Sequence, residues 1–399
     1  MAPLNIGIAG AGIGGLAAAA FLAREGHRVT VFDQFETAGP IGSGLILQET
    51  GLTILGELGL RTKAETLGAP IRRLYGRSRP SGRTVLDVRY GALRPGLLGV
   101  AIQRPALFTI VHDAALGAGA RLVPSTRITA ANPKDATLVD AAGALHGPFD
   151  FIVDALGVKS VLSSAPMKEL PYGALWATLP WPAHSGFHAD ALEQRYEAAS
   201  RMAGVMPSGR AAGDAPQTLT YFWSIRADRH DAWRAAPLTH WRDAALSLWP
   251  ETEPLLTPLK THAALTFARY RHRTHWPAVS GRMVHLGDSW HAASPQLGQG
   301  ANMALLDAFA LARAVGRKPN VGYALEDYAR MRAGHVRLFQ LMSYLFTPVY
   351  QSDSAVLPWL RDWLAAPVSR IWPGPQVLAA MVSGGLGAPL WKLGLKAAR

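Results

Sequence analysis

Two glycine-bearing segments, far apart in the chain, hold the residues whose types and spacing could do chemistry. The first is Gly10-Ala11-Gly12-Ile13-Gly14-Gly15 and the second runs from Gly287-Asp288 through Asn302. Phosphate groups need backbone N–H donors at close range, and a helix N-terminus supplies them together with a favourable dipole. In a Gly-x-Gly-x-x-Gly loop, Gly10 makes the tight turn and Gly12 lets the backbone approach a pyrophosphate. Gly15 lets helix and strand pack closely. Asp33 stands where a carboxylate accepts the hydroxyls of an adenosine ribose. A carboxylate there also disfavours a 2′-phosphate, so the nucleotide expected is FAD or NAD rather than NADP.

The elements needed to position that loop can be read around it. Asn5 to Ala9 is a short apolar strand, an Ala- and Leu-rich helix follows from about Leu16 to Arg24, and Val29 to Phe32 reads as a second strand ending at Asp33. Together they make a complete β-α-β unit. A helix is expected from about Arg104 to Leu116 and an apolar strand from about Phe149 to Ala155. Between Lys168 and Tyr270 strand-like alternation dominates, with one helical stretch near His240 to Leu248. An apolar strand returns at Arg282 to Leu286, followed by a helix from about Gly300 to Val315.

The second segment offers a carboxylate beside a glycine, then Pro295, then a glycine-rich turn at a helix start. Backbone N–H groups there would stabilise negative charge on a bound ring. A plain NAD enzyme has no need of such a second site, and the choice therefore falls on a flavin.

With these residues in view, the chain resembles the class A flavoprotein monooxygenases of the para-hydroxybenzoate hydroxylase and ubiquinone-hydroxylase type. The resemblance rests on Gly10-x-Gly12-x-x-Gly15 with Asp33, on Arg104 opening a helix after Val100-Ala-Ile-Gln103, and on Gly287-Asp288 through Asn302. It implies that Asp288 binds the ribityl chain and Arg104 the ribityl–pyrophosphate region. It further implies that Gly298, Gln299 and Gly300 present N–H groups to the flavin pyrimidine and that Pro295 lies beside the reacting edge. Gly44 and Leu45, within Ile41-Gly-Ser-Gly-Leu-Ile46, would flank the isoalloxazine, and Ile128 would lie by the adenine. The reaction implied uses FAD, NADPH or NADH, and molecular oxygen to hydroxylate or epoxidise an aromatic or hydrophobic small molecule. One departure stands out. Where the family carries an Asp-Gly pair, this chain reads Asp154-Ala-Leu156-Gly157, with Leu156 at the acidic position. That leaves open whether a nicotinamide or a partner delivers the electrons. An FAD-dependent oxidase, a dehydrogenase, a non-hydroxylating flavin catalyst, or a flavin-bearing binding or redox-sensing protein are the alternatives.

Other side chains carry weaker expectations. His291, four residues past Gly287, could serve as a general acid; a structural role in the turn is the simpler reading. Tyr221 and Trp223 share one face of an expected strand and Phe222 takes the other, and either set could line an aromatic substrate cavity or simply pack the sheet. No HExxH, carboxylate–histidine cluster or GxSxG elbow is present, so neither a metal site nor an α/β-hydrolase is expected.

Composition bounds the rest. The chain has 399 residues, 49% hydrophobic and 17% charged, enough for a large core and two joined domains. The absence of cysteine excludes disulfides and thiolate chemistry and fits a reducing, cytoplasmic setting. The formal charge of +12 comes from scattered Lys and Arg residues, so nucleic acid is not the expected partner. The C-terminal part is rich in aromatics, but Val377 to Leu395 contains four glycines, Pro389 and Lys392 and makes a poor membrane span. Any membrane contact is expected to be peripheral. The fold class expected is α/β. Residues 1–72, 100–165 and 276–320 would form a Rossmann-like FAD domain, 73–99 and 166–275 a mixed-sheet substrate domain, and 321–399 a helical extension. Oligomeric state is not legible.

Overall fold

The computed structural model describes residues 2–36, 43–79, 81–182 and 186–396. A six-stranded sheet is built on the parallel core of strand Asn5–Ala9, with Phe151–Asp154 on one side and Arg28–Phe32 on the other. Met283–His285 extends it beyond Phe151–Asp154, and Arg121–Val123 extends it beyond Arg28–Phe32. The crossover between the first two strands is helix Ile13–Arg24, which is buried along nearly its whole length. Its run of alanines allows close packing against helices Arg104–Gly117 and Gly300–Arg317.

The two faces of this sheet have different covers. Ile6, Ile8, Val31, Val153 and Val284 join the core under the helices. Ala9, Phe32, Ile152 and Met283 face a small antiparallel sheet of Ile128–Asn132, Thr137–Asp140 and Leu145–His146. Period-two alternation therefore decides which cover each residue meets.

A seven-stranded sheet forms the second layer. Its centre is Thr218–Arg226, antiparallel to both Lys168–Pro180 and Arg201–Gly209. Strands Ala191–Glu197, Arg73–Arg79 and Thr84–Arg89 continue it on one side, and Thr266–His272 closes the other. A three-stranded sheet of Gly44–Leu47, Ala69–Ile71 and Gly99–Gln103 joins the two layers. From Val321 onward the described chain is helical, led by the thirty-residue helix Val321–Tyr350.

The expected elements lie within a few residues of those observed, for instance helix Arg104–Gly117 and strand Thr218–Arg226. The helix expected near residue 240 is Leu238–Leu248.

Candidate functional site

The first glycine loop has the geometry its spacing implies. Gly10 has φ +107°, a conformation open to glycine, and a Cβ there would lie 2.5 Å from the Ala155 carbonyl oxygen. A Cβ on Gly15 would come within 2.1 Å of the Gly10 carbonyl oxygen, so this glycine is what lets the helix sit against the loop. Gly14 packs against Leu286 and Ala304 in the same way. Gly12 differs from all three. A Cβ there would meet nothing within 4 Å, so the backbone at the helix N-cap faces open space. That opening is a cradle of the kind a pyrophosphate fills.

Asp33 closes the unit. Its carboxylate accepts the Ala11 N–H at 2.8 Å and the Phe35 N–H at 3.0 Å, which ties the end of the second strand to the glycine loop. Asp33 and the glycine loop are thus joined directly. Ile128 is buried with Phe32 and Phe149.

The second segment meets the same cleft from the other side. Gly287, at φ +63°, turns the chain out of strand Met283–His285 so that Asp288 stands exposed at the start of a short helix. A Cβ on Gly300 would lie 3.9 Å from Asp288 Oδ1, so the carboxylate sits over the start of helix Gly300–Arg317. Arg104 is exposed in this cleft, yet enough protein surrounds it to pull its pKa below the ordinary arginine value; the charge of Asp288 opposes that shift. In the helix Gly300–Arg317 the first bond closed is Met303 N–H to Gln299 O, at 2.8 Å. The amides of the preceding turn are therefore left without intrahelical acceptors. Pro295, Gly298 and Gly300 are all exposed along this turn. The Gly298 N–H is itself used, donating to Pro295 O at 2.9 Å.

The structure revises several expected roles. Gln299 contributes at most its backbone, because its side chain is buried and donates to Val382 O at 2.6 Å. Asn302 is fully buried and its amide is spent on protein. Its Oδ1 accepts the Gln48 N–H at 2.8 Å, and its Nδ2 donates to Ile46 O and Gly298 O, each at 3.1 Å. Asn302 therefore joins the strand carrying Gly44 and Leu45 to the Pro295–Gly298 turn, and holds the two walls instead of a ligand. Ile41 and Gly42 of the same loop lie outside the described residues.

His291 does not face the cleft. It is buried, and its Nε2 pairs with Asp307 Oδ2 at 2.6 Å. The same oxygen accepts the Gly287 N–H at 2.9 Å, while Asp307 Oδ1 accepts from Arg332 Nε at 2.6 Å. Burial alone would raise the Asp307 pKa, but His291 and Arg332 outweigh it and hold the group below its ordinary value. Arg332 also bonds His335 Nδ1 at 2.9 Å; burial first, and the guanidinium second, push that imidazole down to about 2. This network fixes the Gly287–Asp288 turn from behind. Asp307 and Arg332 escaped the sequence reading, although an aspartate inside the apolar run Leu305-Leu306-Asp307-Ala308-Phe309 was the signal.

Asp154 accounts for the departure at Leu156. It is fully buried, and its carboxylate accepts the Leu156 N–H at 3.1 Å and the Ser160 hydroxyl at 2.6 Å. It also pairs with His285 Nδ1 at 2.8 Å. Asp154 and His285 are direct register partners on adjacent parallel strands. The carboxylate thus lies two positions earlier than the family pattern, inside the sheet, where it shapes the loop through hydrogen bonds.

On the large sheet, alternation separates the aromatic residues. Tyr221 and Trp223 point into a second core with Leu175, Val205, Trp241 and Trp249, beneath helix Leu238–Leu248. The opposite face meets the glycine strand: a Cβ on Gly44 would touch Ser208 Oγ, Thr220 Oγ1 and the Met206 methyl, and the Gly44 N–H donates to Thr220 Oγ1 at 3.1 Å. Phe222 is on this second face and packs on Trp176 with ring centroids 4.9 Å apart. Phe222 is itself buried in a small core with Val85, Tyr196 and Met202, against which Trp176 packs, while Tyr221 and Trp223 belong to the larger sheet core.

Two helix starts, distant in sequence, thus converge with an aspartate–arginine pair on one cleft roofed by a mixed sheet. That is the architecture of a flavin-dependent oxygenase, and known proteins agree. The chain belongs to the FAD binding domain family, which it matches over residues 4–333. It is 27% identical to a probable 2-heptyl-3-hydroxy-4(1H)-quinolone synthase of Rhodococcus erythropolis, covering 93% of each chain. It is also 27% identical to a 3-amino-4-hydroxybenzoate 2-monooxygenase of Streptomyces cremeus, over 82% of this chain and 83% of the relative. Among solved structures, a tetrameric 2-methyl-3-hydroxypyridine-5-carboxylic acid oxygenase superposes with a TM-score of 0.78 at 19% identity, covering 98% of each chain. The chain is an FAD-dependent oxidoreductase of the aromatic monooxygenase class.

Proposed function

We propose that this enzyme hydroxylates a neutral, hydrophobic heteroaromatic ring, with FAD as its cofactor, NADH or NADPH as reductant and molecular oxygen as co-substrate. The observation that carries the choice of substrate is the sheet face turned toward Gly44. The central stretches 172–179, 202–208 and 218–224 contain no charged residue, and the face carries Trp176, Met206 and Phe222 with the hydroxyls of Ser208 and Thr220. A benzoate would leave its carboxylate without a cation there, whereas a neutral ring would meet an apolar wall in which Ser208 and Thr220 are fully buried and bond one another at 2.6 Å. The likeness to a probable 2-heptyl-3-hydroxy-4(1H)-quinolone synthase supports the same reading.

The cleft fits FAD because the Gly12 N-cap faces unfilled space and Arg104 and Asp288 are both exposed, near enough for the carboxylate charge to act on the guanidinium. Bound there, FAD would accept a hydride from the nicotinamide and activate oxygen for transfer to the ring. Asp33 and the amides after Gly12 would hold the adenosine and pyrophosphate end, with Arg104 and Asp288 along the linking chain. The unbonded amides at the start of helix Gly300–Arg317 would favour negative charge on the pyrimidine. Pro295 would border the reacting edge and exclude water. With His291 fastened to Asp307, the titratable side chain that the second segment leaves in this cleft, among the described residues, is Asp288, which this reading assigns to the linking chain. The division into a discontinuous FAD part (1–72, 100–165 and 276–320) and a sheet-based substrate part belongs to this reading, as does action in the cytoplasm.

The test is to load the protein with FAD and measure NADH and NADPH oxidation in the presence of alkylquinolones, hydroxypyridines and hydroxybenzoates, with product mass after reaction in isotopically labelled oxygen. Stimulation by neutral heteroaromatics with label in the product is expected. Stimulation by benzoates alone, or peroxide release with no labelled product from any ring, would overturn the reading.

A further inference from the structure

The C-terminal helices present an amphipathic run turned inside out. Residues 356–368 are continuously helical, passing through a π-turn at Arg361–Ala365. The inward side carries Pro358, Arg361 and Ala366, all buried. Arg361 is the fastening: its guanidinium donates to Val349 O at 3.2 Å and Ala198 O at 3.1 Å, and it lies 5.0 Å from the Tyr196 ring centroid. The outward side is apolar. Val356, Trp359, Leu360, Trp363 and Leu364 follow the i, i+3, i+4, i+7, i+8 pattern of one helix face, and every one of them is exposed. The stripe ends at Ile371 and Trp372, with Trp372 78% exposed at the tip of the following turn.

A charged inward side held by specific bonds fixes this orientation, so the apolar face is presented, not misplaced. Such a contiguous patch marks a contact surface. Its rim identifies the occupant. Its cations are Arg83, just before strand Thr84–Arg89, and Arg370; Arg77 and Arg79 alternate with Ser78 and project to the face of the sheet opposite Tyr196. The Arg83 guanidinium stacks 3.5 Å above the Trp363 ring centroid, and Arg370 reaches back to Thr84 O at 2.6 Å. Tryptophan and arginine side by side suit the region between headgroups and acyl chains, where the rings settle and the cations meet lipid phosphates. The chain as a whole carries +12. A two-fold contact between copies through this stripe would set the arginine rim against itself. No helix among the described residues is long and apolar enough to cross a membrane, so the run would lie in the interface and not span it.

We propose that residues 356–372, with Arg83 and Arg370 as rim, are the face by which this enzyme docks on an anionic lipid bilayer. The experiment is flotation of the FAD-loaded protein with phosphatidylcholine vesicles made with and without phosphatidylglycerol, at low and high salt. The wild type is expected to float with the anionic vesicles and to lose binding as salt rises. W359E/W372E should reduce partitioning at least tenfold or so, because both rings leave the interface. L145S, which alters a residue 66% exposed on another sheet, should float as the wild type does. Circular dichroism and flavin uptake check that W359E/W372E is folded, with W359S/W372S as the milder pair should it not be. Absence of wild-type flotation overturns the proposal, and so does equal flotation of the double variant. A wild type that self-associates while the double variant is monomeric, with neither on vesicles, assigns the face to a second copy instead.

Discussion

Replacing Gly12 by alanine isolates what the first glycine loop is for. The residue has φ −72° and ψ 175°, which any L-amino acid adopts, and its added methyl would meet no protein atom within 4 Å. Exchanging Gly for Ala at an N-cap costs about 0.5–1 kcal/mol, and the stiffer unfolded chain returns a similar amount. Folding stability should therefore stay within about 0.5 kcal/mol of wild type. Flavin binding should not. The methyl would occupy the space through which phosphate oxygens reach the loop amides, so one charge-assisted hydrogen bond, about 1.5–3 kcal/mol, would be lost. At about 1.4 kcal/mol per tenfold, the Kd for FAD should rise roughly 10- to 100-fold. Gly15→Ala is the matched contrast: its Cβ would lie 2.1 Å from the Gly10 oxygen, so the apoprotein itself should lose about 1–3 kcal/mol. Thermal melts of both apoproteins and titration of each with FAD, followed by flavin fluorescence, read the two effects separately. A Gly12→Ala protein that binds FAD as tightly as wild type would refute the placement of the pyrophosphate.

Asp307→Asn should cost about 3–5 kcal/mol at neutral pH, because Arg332 and His291 lose a buried carboxylate. Since the folded Asp307 is held below its ordinary 3.8, its contribution is complete above that value and is lost as pH falls through the lower folded one. Urea melts from neutral pH down to about pH 3 should thus show a flatter acid limb in the variant than in wild type. Asp33→Asn should weaken FAD binding roughly tenfold or more while changing stability less, since Ala11 keeps an acceptor; isothermal titration checks it. Tyr221→Phe removes a buried hydroxyl that has no partner among the described residues, so it should be neutral or stabilise by about 1 kcal/mol and leave substrate KM unchanged. Phe222→Ala, on the opposite face, should instead cost about 3–5 kcal/mol, because the ring is buried with Val85, Tyr196 and Met202; urea melts would show it.

Much of the fold was legible because it rests on local rules. The strand, glycine loop, helix and Asp33 occupy about thirty consecutive residues, and turn chemistry and periodicity specify each of them. The same holds for the turn at Gly287 and the helix that begins at Gly300. What stayed hidden depends on which residues meet across long separations. Asn302 sits inside the motif, yet only the approach of Gln48 and Ile46, some 250 positions earlier, shows its amide to be spent on protein. His291 likewise pairs with Asp307 sixteen residues on, a partner its own segment does not announce. For Tyr221 and Trp223 the alternation was right, but the sign of the face depends on which side the helix Leu238–Leu248 covers, and no strand pattern contains that.

The meeting of Asp154 and His285 restricts how this lineage could have arrived at its present sequence. A sheet interior that accepts an acid on one strand only because an imidazole stands opposite cannot be reached comfortably by one replacement at a time. Either intermediate would leave a polar group shut away from water with its counterpart gone, and Ser160 alone is a poor substitute. The two positions should therefore vary as a unit among related sequences. Swapping both at once for small apolar residues should be gentler on the protein than swapping either.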